Sequence, residues 1–256
     1  MEQSRRELVH DILVSKPFTS LTELQARFPE VSGMTLRRDI EYFEAQGEVI
    51  KVRGGARAMR FISLSKEDPF YKRSTEYAAE KGRIAAAAAE FIEGGRSLFF
   101  DSGSTVMQMV PHLPPEEKLT VCTSDPNVAL ALIKADNLVV SLIGGNLSRS
   151  NLSLSGEAAL DFVARTNIDV AFISPSGFSL ECGFTSGNHN ESSLKNAVIS
   201  KASFVVMMVL SRKIGKSMPF TFAQLANIDV LITDEEPASE IRKACEITGV
   251  ELIVCR

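Results

Sequence analysis

Two adjacent arginines, Arg37 and Arg38, lie near the start of the chain in the stretch V-S-G-M-T-L-R-R-D-I-E-Y-F. From Leu36 onward, apolar residues recur at i, i+4 and i+7, the spacing of a helix face that packs against a core. At about 100° per residue, Arg38 points away from that face. A guanidinium can bond a guanine edge or a phosphate through two donors, so these side chains could read DNA. The alternative is a solvated helix face in which the arginines pair with Glu41.

A second group of small polar residues follows an apolar, β-prone run. The sequence D-S-G-S-T occupies Asp101–Thr105, and T-S-D-P-N (Thr123–Asn127) and G-G-N (Gly144–Asn146) follow two later runs. Hydroxyls and backbone N–H groups at a strand-to-helix junction attract phosphate, and a glycine lets the backbone approach a ligand closely. Because ligands of open parallel sheets bind beyond the carboxyl ends of the strands, the three loops predict a phosphate-ester site. The alternative for each loop is an ordinary capped turn.

Three helices and a hairpin are predicted to position the arginines. The first helix covers Arg5–Ser15, and the second opens with S-L-T-E, in which Ser20 and Glu23 can form a capping box. The third starts at the N-cap Ser32 and contains the two arginines. A short β-prone run at Glu48–Arg53 and a Gly-Gly pair follow. This order predicts a winged helix-turn-helix of about 55 residues.

Strands and helices then alternate from a helix at Tyr77–Glu93 to a last strand at Glu251–Cys255. The runs VVMMVL, LVVSLI and DVLIT show no polar alternation, which indicates strands buried on both faces. The alternation of strands with helices along the chain favours an open, mostly parallel sheet. The fold class is therefore α/β: we expect a winged helix-turn-helix at residues 1–57, a charged linker at 58–76, and a larger Rossmann-like α/β domain at 77–256.

Composition narrows the class of protein. The net charge is −4 over 256 residues. Residues 1–57 hold nine basic and nine acidic side chains, so any contact with DNA must come from a local basic surface. The four cysteines form no C-x-x-C pair, and we expect neither a disulfide framework nor a metal site. No apolar run is long enough to span a bilayer and no signal-peptide core is present, so we expect a cytoplasmic protein without a membrane partner.

The stretch Val31–Ala56, with T-L-R-R-D-I and a terminal G-G-A, resembles the signature of the DeoR family of bacterial repressors. The resemblance continues from about Tyr77 to the end. There D-S-G-S-T is similar to the family's D-x-G-T-T loop, and N-E-S-S-L-K-N-A-V is similar to its E-x-x-x-K helix. It implies operator binding as a homo-oligomer (dimer or tetramer), release by a phosphorylated sugar, and a sensor fold shared with ribose-phosphate isomerases and CoA transferases. The chain departs from the pattern at Gly33, Ser124, Ser174 and Leu210.

Together, these patterns and the resemblance define two sets of candidate site residues. The DNA-contacting set is Ser32, Met34, Thr35, Arg37, Arg38, Lys51, Arg53, Gly54 and Gly55. The effector-contacting set is Asp101, Ser102, Gly103, Ser104, Thr105, Ser124, Asp125, Asn127, Gly144, Gly145, Glu191, Lys195 and Lys213, of which Glu191, Lys195 and Lys213 come from the resemblance.

Two other functions compete with a ligand-controlled repressor that uses no cofactor. One is a sugar-phosphate isomerase or hydrolase, with Asp101 and Glu191 as acid and base and Lys213 as phosphate anchor. Proton transfer requires a carboxylate within hydrogen-bond reach of the substrate, and an enzyme has no evident use for the first 57 residues. The other is a DNA-binding domain on a pure oligomerisation domain, against which the three polar loops count. We therefore expect a regulator and not an enzyme.

Overall fold

A computed structural model describes residues 2–16, 18–58, 70–149 and 151–255 of the chain. The chain divides into two compact units: residues 1–64 with 215–218, and residues 65–214 with 219–256. Within the stretch expected as a linker, 58–76, residues 59–69 lie outside the described residues. Its described part is more regular than expected, because Ala58 ends a strand and Phe70–Thr75 is helical.

The first unit contains the three expected helices and one strand more than expected. Its elements are α1 (Glu2–Ser15), β1 (Phe18–Ser20), α2 (Leu21–Arg27), α3 (Gly33–Ala45), β2 (Val49–Val52) and β3 (Gly55–Ala58). The helices pack around a small apolar core to which α3 contributes Leu36, Ile40 and Phe43. These are the side chains whose spacing predicted the inward face of this helix.

Caps fix where the two central helices begin. The Ser20 hydroxyl accepts a hydrogen bond from the Glu23 N–H (3.0 Å), and the Ser32 hydroxyl accepts one from the Thr35 N–H (3.2 Å). The prediction that the Glu23 carboxylate completes the capping box by bonding the Ser20 N–H is wrong. That carboxylate pairs with the Lys16 ammonium instead. One half of a capping box is enough to start α2 because Ser20 alone satisfies an open N–H group.

The wing is a three-stranded antiparallel sheet in the order β1-β3-β2. Gly54 turns the chain between β2 and β3 with φ of +90°, a conformation that favours glycine. Gly55 serves another purpose, since a Cβ there would lie 2.1 Å from the carbonyl oxygen of Thr19 in β1. The strand β1 can therefore pair closely with β3 only because residue 55 has no side chain.

We expect Gly55→Ala to lower the free energy of unfolding of the first unit by about 2 kcal/mol, because the new methyl group must displace β1 from β3. The matched control is Gly82→Ala in the helix Ala78–Ala89, where a Cβ meets nothing within 4 Å. That change should raise stability by about 0.5–1 kcal/mol. Urea unfolding followed by circular dichroism measures both effects, and an unaltered midpoint for Gly55→Ala would contradict the close contact.

The second unit is an α/β domain. Its helices are α4 (Phe70–Thr75), α5 (Ala78–Ala89), α6 (Pro126–Leu132), α7 (Glu157–Ala164), α8 (His189–Lys201) and α9 (Ser239–Thr248), with a 3-10 helix at Val106–His112. Its strands are β4 (Ser97–Phe100), β5 (Leu119–Thr123), β6 (Leu138–Leu142), β7 (Asn146–Leu147), β8 (Leu154–Ser155), β9 (Ile168–Ile173), β10 (Gly177–Ser179), β11 (Gly183–Ser186), β12 (Ala202–Val209), β13 (Phe220–Ala223), β14 (Val230–Thr233) and β15 (Glu251–Val254).

Within the described residues, seven of these strands form one parallel sheet in the order β15-β14-β12-β9-β4-β5-β6. Apolar clusters cover both faces, one around Phe99 and Met207 and the other around Phe100 and Met208. The expected open parallel sheet is confirmed. The hairpin β7–β8 and the antiparallel sheet β10-β11-β13 are additions that the sequence patterns did not predict.

The strand order places a switch point between β4 and β9. From β4 the chain proceeds outward through β5 and β6, whereas from β9 it proceeds the other way through β12, β14 and β15. The connections that leave the carboxyl ends of β4 and β9 therefore diverge and leave a crevice between them, which is where open α/β sheets bind ligands. Asp101 follows β4 and Ser174 follows β9, so these two residues border the crevice.

A buried lysine ties α4 to the start of α5. The Lys81 ammonium donates hydrogen bonds to the carbonyl oxygens of Glu76 (2.7 Å) and Arg73. Burial, together with the positive charge of Arg73, lowers the pKa of Lys81 from its usual 10.5 to about 8. This single side chain therefore satisfies carbonyl groups at the end of α4 and in the turn that follows.

Candidate functional site

The N-terminal half of α3 presents an exposed polar face in the first unit. Met34 is 66% exposed, and the side chains of Arg37 and Arg38 are also exposed. Neither arginine has a carboxylate within 4.0 Å among the described residues. The Glu41 carboxylate, the alternative partner, is instead bonded by the Lys51 ammonium, which lowers the pKa of Glu41. Both guanidinium groups are therefore available to an external anion.

A buried carboxylate anchors this helix from behind. Asp39, the D of T-L-R-R-D-I, is 1% exposed and accepts hydrogen bonds from Arg5 (3.2 Å) and Arg6 (3.0 Å) of α1. The Arg6 guanidinium also lies 4.6 Å from the ring centre of Tyr42. Sequence reasoning missed this role. The signal was present, since a charged residue on the core face of a helix requires a partner of opposite charge.

The other expected DNA-contacting residues differ in their surroundings. Arg53 and Gly54 are exposed at the tip of the wing, and Lys51 is exposed but bonded to Glu41. Ser32 and Thr35 form the cap of α3, with their hydroxyl oxygens 3.0 Å apart. Gly55 does not fit the expectation, because it is buried against β1 and its need for glycine comes from the carbonyl of Thr19. We therefore remove it from the candidate surface.

A buried ion cluster lies at the switch point of the second unit. The Lys195 ammonium of α8 donates a hydrogen bond to the Asp101 carboxylate and lies 3.3 Å from a Glu191 carboxylate oxygen. Lys195 and Asp101 are each 1% exposed. Lys195 was expected to contact the effector, but its positive charge is already matched by two carboxylates. Its first effect is to hold the end of β4 against α8.

Ser174 joins this cluster to a second lysine. Its N–H donates to Asp101 (3.1 Å) and its carbonyl oxygen accepts from Lys195 (3.0 Å). The Lys213 ammonium lies 3.4 Å from the Ser174 hydroxyl oxygen and 2.6 Å from the Pro175 carbonyl oxygen. Sequence reasoning noted Ser174 only as a departure from the family pattern. Its position directly after β9, at the switch point, was the signal that identifies it as a site residue.

The loop Ser102–Thr105 lies beside Ser174. A Cβ on Gly103 would lie 3.5 Å from that of Ser174, and the Ser102 N–H donates to the Ser124 hydroxyl (3.1 Å), which ties the first two strand-end loops together. The hydroxyls of Ser104 and Thr105 form no hydrogen bond with any other described residue. The loop therefore has donors that an anion could use.

Asp125 is the N-cap of α6, and Asn127 in the first turn is its hydrogen-bond donor. One Asp125 carboxylate oxygen accepts from the backbone N–H (2.8 Å) and the side-chain amide (3.0 Å) of Asn127, while the other oxygen is buried and has no partner among the described residues. Burial is the largest cause that raises the pKa of Asp125, and the negative charge of Asp101 adds to it. Both residues were expected at the effector site, and their first role is local.

We expect Asp125→Asn to make stability less dependent on pH. In the wild type the pKa of Asp125 is higher in the folded chain than in the unfolded one, so the folded chain loses stability as pH rises through that pKa. Asparagine caps a helix about as well as aspartate. The free energy of unfolding of the variant, relative to that of the wild type, should therefore increase as pH rises. The difference should disappear in acid. Urea midpoints from pH 3 to 8 test this, with exposed Asp136→Asn as the control.

The loop after β6, the third of the expected polar loops, leads into the hairpin β7–β8. Gly145 has φ of +121°, and a Cβ there would lie 2.5 Å from the Ser155 carbonyl oxygen, so glycine lets the two strands approach. Gly144 and Gly145 are exposed. Beyond them, the Asn151 side-chain amide donates to Glu191. No local pattern predicted that Asn151 would reach the cluster, because the hairpin brings it there through the fold.

Two features are absent from the described part of the chain. No helix there is long and apolar enough to cross a membrane. No three His, Cys, Asp or Glu side chains in the same ranges are grouped so that they could hold a metal ion.

Family models match both units of the chain. The DeoR-like helix-turn-helix domain matches residues 5–60, and the DeoR C terminal sensor domain matches residues 76–235. The transcriptional regulator GlpR of Haloferax volcanii is 32% identical over 87% of this chain and 86% of its own length. The glycerol-3-phosphate regulon repressor of Escherichia coli is 27% identical over the full length of both chains. The solved ribose 5-phosphate isomerase A of Neisseria gonorrhoeae is 17% identical, with a TM-score of 0.38 over 52% of each chain.

A winged helix-turn-helix followed by an α/β sensor domain defines a DNA-binding transcriptional regulator. The chain belongs to the DeoR family, and its relatives are named as regulators or repressors rather than enzymes. The expectation of a regulator is confirmed. The two carboxylates of the catalytic alternative, Asp101 and Glu191, are both engaged by Lys195.

Proposed function

We propose that this regulator represses a carbohydrate-utilisation operon and leaves its operator when a phosphorylated sugar binds the crevice between β4 and β9. One observation carries the proposal: the loop Ser102–Thr105 and the Lys213 ammonium both lie against Ser174 at the switch point. A loop of small hydroxyl residues supplies hydrogen-bond donors, and the lysine supplies positive charge. This is the combination that a phosphate ester requires.

The two lysines beside the crevice differ in what they contact. The Lys195 ammonium lies between the carboxylates of Asp101 and Glu191. The Lys213 ammonium lies 3.4 Å from the Ser174 hydroxyl oxygen and donates to the Pro175 carbonyl oxygen, so it lies beside the loop Ser102–Thr105 where an anion would arrive. In this proposal Lys195 is a positioning residue that fixes the end of β4, and Lys213 contacts the effector.

On the DNA side, Met34, Thr35, Arg37 and Arg38 enter the major groove, and Arg53 with Gly54 meets the backbone beside it. Operators read by such helices have two half-sites, so the working form is a homo-oligomer, a dimer or a tetramer. The effector releases DNA if it binds the free form more tightly than the operator-bound form. The usual coupling is about 1–3 kcal/mol, or about 5–150-fold in operator affinity.

The test starts from the operator. Fragments of the source genome that the full chain retains at low salt are cloned, and the dissociation constant is measured by fluorescence anisotropy with and without a panel of sugar phosphates. We expect at least one sugar phosphate to weaken binding by about 5–150-fold. We expect Lys213→Ala to abolish that response while leaving operator affinity unchanged.

The matched control is Lys216→Ala, which removes an exposed lysine three residues away. If no genomic fragment is retained, DNA binding at this surface is wrong. If an operator is found but Lys213→Ala responds to sugar phosphates as the wild type does, the crevice is not the effector site.

A further inference from the structure

Five contacts join four segments of the second unit into a closed circuit around the crevice: the loop after β4, the loop after β5, the hairpin β7–β8 and the helix α8. The Ser102 N–H bonds the Ser124 hydroxyl (3.1 Å), Asp101 bonds Lys195, and Lys195 lies 3.3 Å from Glu191. Glu191 accepts from Asn151, and the Leu154 N–H donates to the Ser124 carbonyl oxygen (2.8 Å), which closes the circuit. The hairpin β7–β8 and its loop therefore form one wall of the same site as the loop after β4.

Three buried oxygen atoms on this circuit have no hydrogen-bond partner among the described residues. They are Asn151 Oδ1, Ser153 Oγ and Asp125 Oδ2. Their residues are 6%, 1% and 0% exposed. The orientation of the Asn151 amide is fixed by Glu191, a carboxylate that needs a donor, so the unpartnered atom must be the oxygen. Buried polar atoms in folded proteins are nearly always satisfied, and an unsatisfied group at a ligand crevice indicates a missing partner.

The chemistry of the three atoms identifies the kind of partner. Asn151 Oδ1 and Asp125 Oδ2 are acceptors, and a serine hydroxyl both donates and accepts. Acceptors cannot stabilise a phosphate, whose oxygens are also acceptors. They suit the O–H groups of a sugar or sugar alcohol. The groups assigned to the phosphate are separate ones, in the loop Ser102–Thr105 and at Lys213.

We infer that Asn151 and Ser153, with Asp125, form a hydroxyl-recognition subsite that selects effectors with a polyhydroxylated carbon chain over simple phosphate monoesters. This inference rests on the proposed function, because it assumes that the phosphate occupies the loop beside Ser174. It assigns to the hairpin wall a role in specificity. A site that hydrogen-bonds a ligand hydroxyl rejects the analogue without it because its own buried groups are then left unpaired.

The test uses matched pairs of ligands on the full chain. Glycerol 3-phosphate is compared with n-propyl phosphate, and sorbitol 6-phosphate with n-hexyl phosphate, by isothermal titration calorimetry and by release of operator DNA. Inorganic phosphate serves as the minimal probe. We expect the wild type to bind at least one polyol phosphate about ten-fold or more tightly than its alkyl partner.

Ser153→Ala and Asn151→Ala should each reduce that ratio about five- to ten-fold while leaving the affinity for the alkyl phosphates unchanged. Ser153→Ala removes only an unpartnered hydroxyl, so this variant should fold. The control is Thr233→Val, which removes a buried hydroxyl, also without a partner among the described residues, at the end of β14.

The outcomes separate the two proposals. If the polyol and alkyl phosphates bind equally, or if both variants keep the wild-type ratio, the hydroxyl subsite is wrong while the phosphate site stands. If neither pair nor inorganic phosphate binds the wild type, the proposed effector class fails and the subsite fails with it.

Discussion

We expect Arg38→Ala to weaken operator binding by about 1–3 kcal/mol, a loss of about 5–150-fold. The expected loss is large because Arg38 lies on the exposed face of α3 and has no carboxylate partner within the described residues that would compete for its guanidinium. The Glu41 carboxylate, three residues away, is held by Lys51. Fluorescence anisotropy with the cloned operator measures the effect.

The dependence of affinity on salt shows what Arg38 contacts. If the guanidinium bonds a phosphate, its loss reduces the slope of log K against log salt by about 1 and weakens all sequences alike. If it bonds a base, the slope is nearly unchanged and discrimination at one base pair is lost. The control is Arg165→Ala, an exposed arginine of the second unit that changes the net charge equally. Equal affinities of the Arg38 and Arg165 variants would remove Arg38 from the DNA-binding surface.

We expect Lys195→Met to lower the free energy of unfolding of the second unit by about 3–5 kcal/mol, because it leaves two buried carboxylates without their shared cation. Asp101 and Glu191 are 1% and 5% exposed, so water cannot replace the ammonium. Typical domains have about 5–15 kcal/mol of stability, and this loss is a large part of it. Urea unfolding followed by circular dichroism gives the value.

Two comparisons isolate the cause of that loss. Lys201→Met removes an exposed lysine from the end of the same helix and should cost less than about 0.5 kcal/mol. Adding Asp101→Asn and Glu191→Gln to Lys195→Met removes the uncompensated charges and should restore part of the stability. If Lys195→Met unfolds at the same urea concentration as Lys201→Met, the ion cluster contributes nothing to the fold.

Regular elements were predictable because their signals are local. The spacing of Leu36, Ile40 and Phe43 fixed the inner face of α3, and the apolar runs fixed the central strands. The helix starts at Ser20 and Ser32 followed from capping chemistry. Asp101 and Lys195 were also found, one from its place after a strand and the other from the family resemblance.

What the sequence could not predict depends on contacts between distant segments. β1 has only three residues and pairs with β3, which lies more than thirty positions away. Asn151 reaches Glu191 across forty positions, and Asp39 meets Arg5 across thirty-four. Gly55 was placed in the DNA-contacting set with the rest of the wing. In the structure, residue 55 must be glycine because the Thr19 carbonyl lies against it, and no local pattern reveals that neighbour.

The lysine beneath α4 has a practical consequence for anyone who handles this protein. With a pKa of about 8 for Lys81, most molecules carry the charged form at pH 7, and roughly half carry a neutral amine at pH 8. The amine has two donors where the ammonium has three. Because the unfolded chain keeps its proton up to about 10.5, this group adds stability as pH rises above 8. In alkaline storage buffers, more molecules therefore carry the neutral Lys81 amine. That amine has one hydrogen-bond donor fewer than the ammonium for the carbonyl groups at the end of α4.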